Sequence, residues 1–366
     1  MVGKGQTGDV LTVTVIIPAR NEEACLKECI ESLLAQTGVD FEIIVVDDHS
    51  TDRTREIAES FSARGVRVVE APELAAGWTG KNNAAAAGAR LARGEWFLFT
   101  DADTVHLPGS LARAVTEAER YGASMLSYSP RQIVETFPEK AVMPVIFAEL
   151  AAAYRPSLVS DPKSSVAAAN GQYILIRREA YDAVGGHAAI RDQILEDVAL
   201  ARAVKRAQRK IIFRYGAGSV QTRMYRNFAQ LREGWTKNLA LLFSSPGRLA
   251  LLRALEFILI VACAGILIFG LLHGFWRTSL VAAGVGGVLY STFLARIRKA
   301  HFGADANALA LIGLPIFCYL LLRSKRFHEL NEISWKGRIY SDSRSSSTAE
   351  TEQSKMIEER LLPTNR

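Results

Sequence analysis

Hydropathy is spread so unevenly along this chain that one globular core cannot account for it. Up to Ser245, short apolar runs alternate with amphipathic stretches; beyond Pro246 come three long apolar segments, residues 257–272, 278–295 and 306–322. None carries a charge, and the first lengthens further if Glu256 extends its carboxylate to an interface. A bilayer's hydrocarbon requires about 17–25 residues of helix. The first two segments are expected to span, with a buried core helix as the alternative. The third, 17 residues with Gly313 and Pro315 inside it, is marginal. The expected organisation is a domain over 1–245, a membrane part over 246–323 with two or three spans, and a juxtamembrane segment over 324–340. The remainder, 341–366, contains "SDSRSSSTAETEQSK" and reads as a disordered polar tail.

Lysine and arginine set the expected orientation. The turn "HGFWR" between the first two segments carries one arginine, whereas "RIRKAHFGAD" carries Arg296, Arg298 and Lys299. The positive-inside rule places the second loop, and with it the 1–245 domain, in the cytoplasm of a multi-pass protein of the cell (inner) membrane. A third crossing would put "RSKRFHELNEISWKGRIY" outside, against the same rule, so the Pro315 stretch is expected to turn back or to be joined by another span. "MVGKGQTGDV" has no apolar run, so no cleaved signal peptide is expected. The net charge of +6 suits an anionic membrane surface or anionic substrate, and no nucleic-acid partner is expected. The four cysteines have no Cys-x-x-Cys spacing and read as small buried hydrophobes in a reducing compartment.

The first 245 residues alternate strand and helix signals. "LTVTVIIPAR" and "FEIIVVDDHS" are β-branched strands, each followed by a helical pattern, the second with Ser50, Thr51 and Asp52 available as caps. "RVVEA" reads as a third strand, "NNAAAAGARLA" as an alanine-rich helix, and "EWFLFTDADT" as a buried fourth strand. Such alternation predicts an α/β fold, a mostly parallel Rossmann-like sheet with helices on both faces. Ligands of these sheets sit at the carboxyl ends of strands, where this chain places Asp47-Asp48 and Asp101-x-Asp103. One Asp-x-Asp alone can be a helix cap or turn; two acidic pairs ending strands of one sheet are a stronger signal. They can hydrogen-bond a base or ribose and hold Mn2+ or Mg2+ against a diphosphate. A dinucleotide site is excluded, because "PARNEEA" after strand one has no Gly-x-Gly-x-x-Gly and no Walker lysine.

"VIIPARNEE", "EIIVVDDHSTDRT", "GKNNAAAAGA" and "FTDADT" together resemble the inverting glycosyltransferases of family 2, which have the GT-A fold, and the match in order and spacing runs over roughly residues 11 to 245. "GWTGKN", the C-terminal apolar segments and "WKGRIY" resemble a narrower membrane-bound group associated with hopanoid or carotenoid glycosylation. The resemblance implies a nucleotide-sugar donor, with Pro18, Arg20 and Glu22 lining the nucleoside pocket and Asp48 pairing with the base. It implies Lys81 on the diphosphate, Asp101 on the ribose or a metal-bound water, and Asp103 on the metal. A solvated lysine at a helix start is the plain alternative for Lys81.

An inverting transfer needs a base for the acceptor hydroxyl. In the family an acidic pair supplies it, here Glu196-Asp197 in "RDQILEDVALARAVKRA", with Asp197 as the base and Glu196 raising its pKa by repulsion. Favourable acidic charge at a helix start is the alternative. His187 is expected in a loop or lid. The Gln-x-x-Arg-Trp motif of processive polysaccharide synthases is broken here, since Gln230, Arg232 and Trp235 occur as "QLREGW". Transfer of a single sugar to a lipid acceptor is therefore the leading expectation. A processive synthase, a nucleotidyltransferase and a catalytically silent scaffold are the other readings; the nucleotidyltransferase lacks its glycine-rich loop. Arg223, Arg232, Trp235 and Trp335 are the candidates for contact with acceptor or membrane lipid, and "EKAVMPVIFAELAAAYRP" for a surface segment where a lipid enters.

Overall fold

The computed structural model describes residues 12–330 and the backbone of 333–335 and 338–340. The expected polar tail and Lys336 lie outside the described residues. The chain opens with β1 (Val13–Ala19), α1 (Leu26–Leu34), β2 (Phe41–Asp47), α2 (Thr54–Glu59), β3 (Val66–Glu70), α3 (Gly80–Leu91) and β4 (Trp96–Phe99). It continues with β5 (Thr104–His106), α4 (Ser110–Arg120), β6 (Met125–Ser129), β7 (Arg131–Gln132), α5 (Phe137–Ala153) and α6 (Pro156–Ser160). Next come β8 (Ile174–Arg177), α7 (Arg178–Ala183), α8 (Gly186–Ala189), α9 (Glu196–Arg206), β9 (Ile211–Tyr215), β10 (Val220–Thr222) and α10 (Phe228–Asn238). Three long helices follow, α11 (Pro246–Leu272), α12 (Trp276–Ile297) and α13 (Ala304–Glu329), and then the hairpin β11 (Ile333–Trp335) and β12 (Arg338–Tyr340).

The main sheet has seven strands in the order β3-β2-β1-β4-β8-β6-β9. Strands β1 to β4 are mutually parallel, as the alternation predicted, but β8 runs antiparallel to both β4 and β6. Both faces are covered, which is why these strands read as near-continuous apolar runs. Val13, Val15 and Ile17 pack with Leu26, Ile30 and Leu33 of α1, whereas Ile16 packs on the other face with Ala84 and Ala85 of α3. The register pairs Ile16 with both Ile44 and Phe99, so β1, β2 and β4 end side by side.

A separate core joins the two parts of the chain. Val142, Val145 and Ile146 of α5 and Leu231 and Trp235 of α10 pack with Phe293 of α12 and Leu314, Phe317 and Leu321 of α13. The expected boundary at residue 245 therefore cuts through a shared apolar cluster. The segment expected to lie on the surface, α5, is buried along α13, and α10 is likewise held in this core through Leu231 and Trp235, with Arg232 facing outward.

Among the described residues, four helical stretches are long and apolar enough to cross a membrane, Phe137–Ser160, Pro246–Leu272, Trp276–Ala300 and Ala304–Glu329. They differ in what covers them. The protein buries only 11% and 17% of the α11 and α12 windows, against 44% for α13. Moreover, α13 is tied to the N-terminal domain at both ends. At its start Asp305 pairs with Lys140 of α5 at 2.7 Å. At its end Arg323 donates to Thr236 Oγ1 at 3.1 Å, and the His328 ring meets the Lys237 carbonyl at 2.8 Å. The helix thus runs along the domain instead of away from it, and β11 lies beside α10.

The α5–α13 contact depends on Gly313. A Cβ built there would sit 1.8 Å from the Ala141 carbonyl oxygen, which cannot yield without parting the helices. Gly313→Ala is expected to cost about 1–3 kcal/mol, the usual cost of overpacking. A lowered Tm in detergent checks this; an unchanged Tm contradicts the close contact.

Candidate active site

The exits of β1 and β2 form one wall of the cavity because their loops are stitched together. Asp48 N donates to the Ala19 carbonyl at 2.8 Å. Arg20 Nη1 donates to the Asp48 and His49 carbonyls at 2.6 and 3.1 Å. Asn21 Oδ1 accepts from Thr51 N at 2.8 Å, and Glu22 N donates to Thr54 Oγ1 at 2.7 Å. None of the expected caps occupies the N-cap of α2, which is Arg53 without a side-chain cap bond; Asp52, just before it, accepts from Thr54 N at 3.0 Å. The result is a rigid polar end lined by Pro18, Arg20, Glu22 and the buried Asp48.

At the centre, Lys81 joins two carboxylates from distant elements. Thr79 caps α3 and accepts from Asn82 N at 3.3 Å, so Lys81 leaves the first turn toward the end of β4. Its Nζ lies 2.6 Å from Asp101 Oδ1 and 2.6 Å from Glu196 Oε1. Burial disfavours the ammonium, but Asp101 and Glu196 outweigh it and hold Lys81 well above its ordinary value. Glu196 is kept below the usual carboxylate range, since Lys81 and Lys237 override its burial. Asp197 goes the other way. Burial and the Glu196 charge push it up to about 7, with Lys81 and the Val198 and Gly171 amides in partial opposition. Those amides donate to Asp197 at 2.7 and 3.0 Å, so its carboxylate is oriented as well as perturbed.

Three residues of this cluster escaped sequence reasoning. A Cβ at Gly171 would lie 3.1 Å from Lys81 Nζ and 3.2 Å from Glu196 Oε1, so a larger residue in the loop before β8 would push on both charged groups. Asn82 Nδ2 donates to the carbonyls of Ile190, Arg191 and Gln193 at 2.8, 3.1 and 3.1 Å, fixing the approach to Glu196. Lys237, two residues after Trp235, lines the cavity; burial lowers its pKa while Glu196 opposes the shift. The adjacent pair of asparagines in "GKNN" was the only local hint of the second of these.

The remaining candidates separate clearly. Arg223 lines the cavity and pairs with Glu139 and Glu135, bracing the start of α5. Trp235 is buried in the cavity wall, whereas Arg232 is exposed and outside the lining. Trp335 lies in β11, and its side chain is outside the described residues. His187 is no lid residue. It is only 3% exposed, its ring 4.6 Å from Phe99 and its Nδ1 3.0 Å from the Tyr181 hydroxyl, and burial drops its pKa to about 4.

Asp101 and Asp103 both face the cavity, and Thr222 Oγ1 donates to the Asp103 carbonyl at 3.0 Å. Among the described residues no group of three or more His, Cys, Asp or Glu side chains converges as a metal site. One or two carboxylates is the protein share in sites where substrate phosphates complete the shell of Mg2+. The residues fit a cation that arrives with a diphosphate and do not fit one held by protein alone.

The cavity measures about 690 Å³, within the usual range for small-molecule sites. Residues 14–185 match the family described as glycosyl transferase family 2. A 4,4'-diaponeurosporenoate glycosyltransferase of Staphylococcus aureus is 28% identical over 91% of this chain and 89% of its own length. The mannosyltransferase PcManGT of Pyrobaculum calidifontis, solved with GDP-Man and Mn2+, superposes with a TM-score of 0.51 at 19% identity, over 86% of each chain, and is a likeness of fold. The architecture is GT-A followed by long apolar helices, and the match to glycosyl transferase family 2 covers residues 14–185 of its N-terminal part.

Proposed function

We propose that the protein moves a single sugar from a nucleotide-diphosphate sugar to the hydroxyl of a lipid acceptor of polyisoprenoid, hopanoid or carotenoid type, with inversion. One observation carries this reading: the Lys81–Asp101–Glu196 bridge and the oriented Asp197 lie in a single cavity, polar at the exits of β1 and β2 and apolar beside α5. Asp48 and Arg20 receive the nucleoside end, and Lys81 offers its charge to the diphosphate. A divalent cation, bound by Asp103 and Asp101, would neutralise charge on the diphosphate oxygens. Asp197 accepts the acceptor's hydroxyl proton; the acceptor oxygen then bonds the anomeric carbon as the sugar–phosphate bond breaks, and its electron pair leaves with the nucleoside diphosphate. Attack from the face opposite the leaving group inverts the centre.

The helices suit the same reading. The poorly covered hairpin of α11 and α12 crosses the cell membrane, while α13, bonded at both ends to the catalytic domain, stays on that domain's side. Two crossings put Arg296, Arg298 and the basic stretch after Arg323 in the cytoplasm. Support for a lipid acceptor also comes from the carotenoid name of the S. aureus relative.

The test is to incubate the full chain in nanodiscs with radiolabelled nucleotide-sugars, Mn2+ and lipid extract, and to follow label into the organic phase. Label that stays in water with every donor overturns the reading. Asp103→Asn is expected to lower metal-stimulated transfer by about a hundredfold or more while the protein stays folded, since β4 and not the carboxylate provides the burial. Activity equal to the native protein at the same Mn2+ contradicts the metal role.

A further inference from the structure

The cavity does not end at the reacting groups. From Tyr225 its wall continues through Trp235 to Phe147, with ring centroids 6.1 and 6.2 Å apart, and Phe147 in turn meets Phe302 at 5.8 Å. Phe147, Leu150, Ala151 and Tyr154 all line this arm and recur at the spacing of one helix face, while the opposite face of α5 packs on α13. The Tyr154 hydroxyl donates to the Leu242 carbonyl at 2.7 Å, so this wall's polar atom is satisfied within the protein. The arm reaches the surface at Tyr215, which is 38% exposed and stacks on His301 at 4.3 Å.

His301 belongs to the connector between α12 and α13, next to Arg296, Arg298 and Lys299. A connector with that charge sits at headgroup depth. The mouth therefore opens where an amphiphile can leave the bilayer, and the chain of apolar residues leads from there to Asp197.

The geometry points to this arm as the binding site for the hydrocarbon part of a long-chain alcohol, which enters head first between Tyr215 and the α12–α13 connector and lies along the Phe147–Tyr154 face of α5. Its hydroxyl reaches Asp197 while its tail remains in the arm. This rests on the proposed lipid acceptor, and it adds the location of the acceptor and the residue that limits its width, Ala151, the smallest side chain on that face.

A photolabelling experiment on the full chain in nanodiscs tests it without requiring turnover. The probe is a long-chain primary alcohol with a diazirine at its far end, and labelled positions are mapped by peptide mass spectrometry. Labels are expected on the segments 147–154 and 299–302, competed by unlabelled long-chain alcohol and not by a short one. Ala151→Trp should cut labelling there by about tenfold, the scale on which a filled apolar pocket rejects a ligand. Labels confined to outward residues of α11 and α12, such as Ile258, Leu272 and Val288, overturn the proposal; the native protein decides this even if the variant does not fold. Labelling in the arm without transfer from any nucleotide-sugar would leave the site standing and overturn the proposed function. Transfer without labelling in the arm would do the reverse.

Discussion

Asp197→Asn is expected to bind nucleotide-sugar with near-native affinity and to lose transfer by about 10²–10⁴-fold, the contribution of a positioned general base. The asparagine oxygen can still accept from one of the amides that hold the native carboxylate, those of Val198 and Gly171, so the start of α9 keeps its place. What disappears is the proton acceptor. The pH profile gives the sign. Burial and Glu196 raise Asp197 to about 7, so below that pH the carboxyl is protonated and cannot act as a base. The native rate should fall about tenfold per unit on the acid side, and the variant should lack that limb. Near-native transfer by Asp197→Asn would exclude Asp197 as the base. A collapse in donor affinity would instead make Asp197 a binding residue.

Lys81→Met has the second large effect, and it acts on the donor. Its ammonium is 2.6 Å from both Asp101 and Glu196, so the variant leaves two carboxylates beside the space proposed for the diphosphate. Donor affinity is expected to fall about a hundredfold, measured by calorimetry with the nucleotide-sugar and Mn2+. Stability should drop by roughly 2 kcal/mol, below the usual cost of breaking a buried ion pair because Lys81 keeps 35% of its side chain exposed. Lys81 also opposes the upward shift of Asp197, so residual activity should titrate at higher pH than in the native protein. Unchanged affinity with an unchanged profile would reduce Lys81 to a structural brace.

The parts of this structure that were legible in the sequence are those governed by local pattern. The run Trp96 to Phe99 reads as a buried strand because its neighbours on both faces are apolar, and it carries Asp101 and Asp103 to the strand exit. The same logic located Asp48 after β2, whereas Glu196-Asp197 at the head of α9 came from the family resemblance. Pairing direction is a long-range property, and nothing within Ile174 to Arg177 distinguishes the antiparallel β8 from its parallel neighbours. Gly171 and Asn82 matter through contacts with residues 81, 196 and 190–193, which no periodicity records. Hydropathy singled out the residue 306–322 segment but not its surroundings. What keeps α13 beside the catalytic domain is a set of polar contacts at its ends, Lys140–Asp305 and Arg323–Thr236 among them. "QLREGW" shows the limit within one helix: its Trp235 enters the cavity wall, Arg232 faces out, and the cation that lines the site is Lys237.

In the proposed reaction a single displacement inverts the sugar's anomeric carbon while Asp197 takes the acceptor's proton. The most direct measurement is the anomeric configuration of the lipid product, read by NMR from the coupling at the transferred sugar's first carbon after incubation with an α-linked nucleotide-sugar. A β-linked sugar on the lipid hydroxyl is expected. An α-linked product would mean a second displacement or a front-face path, and would contradict it.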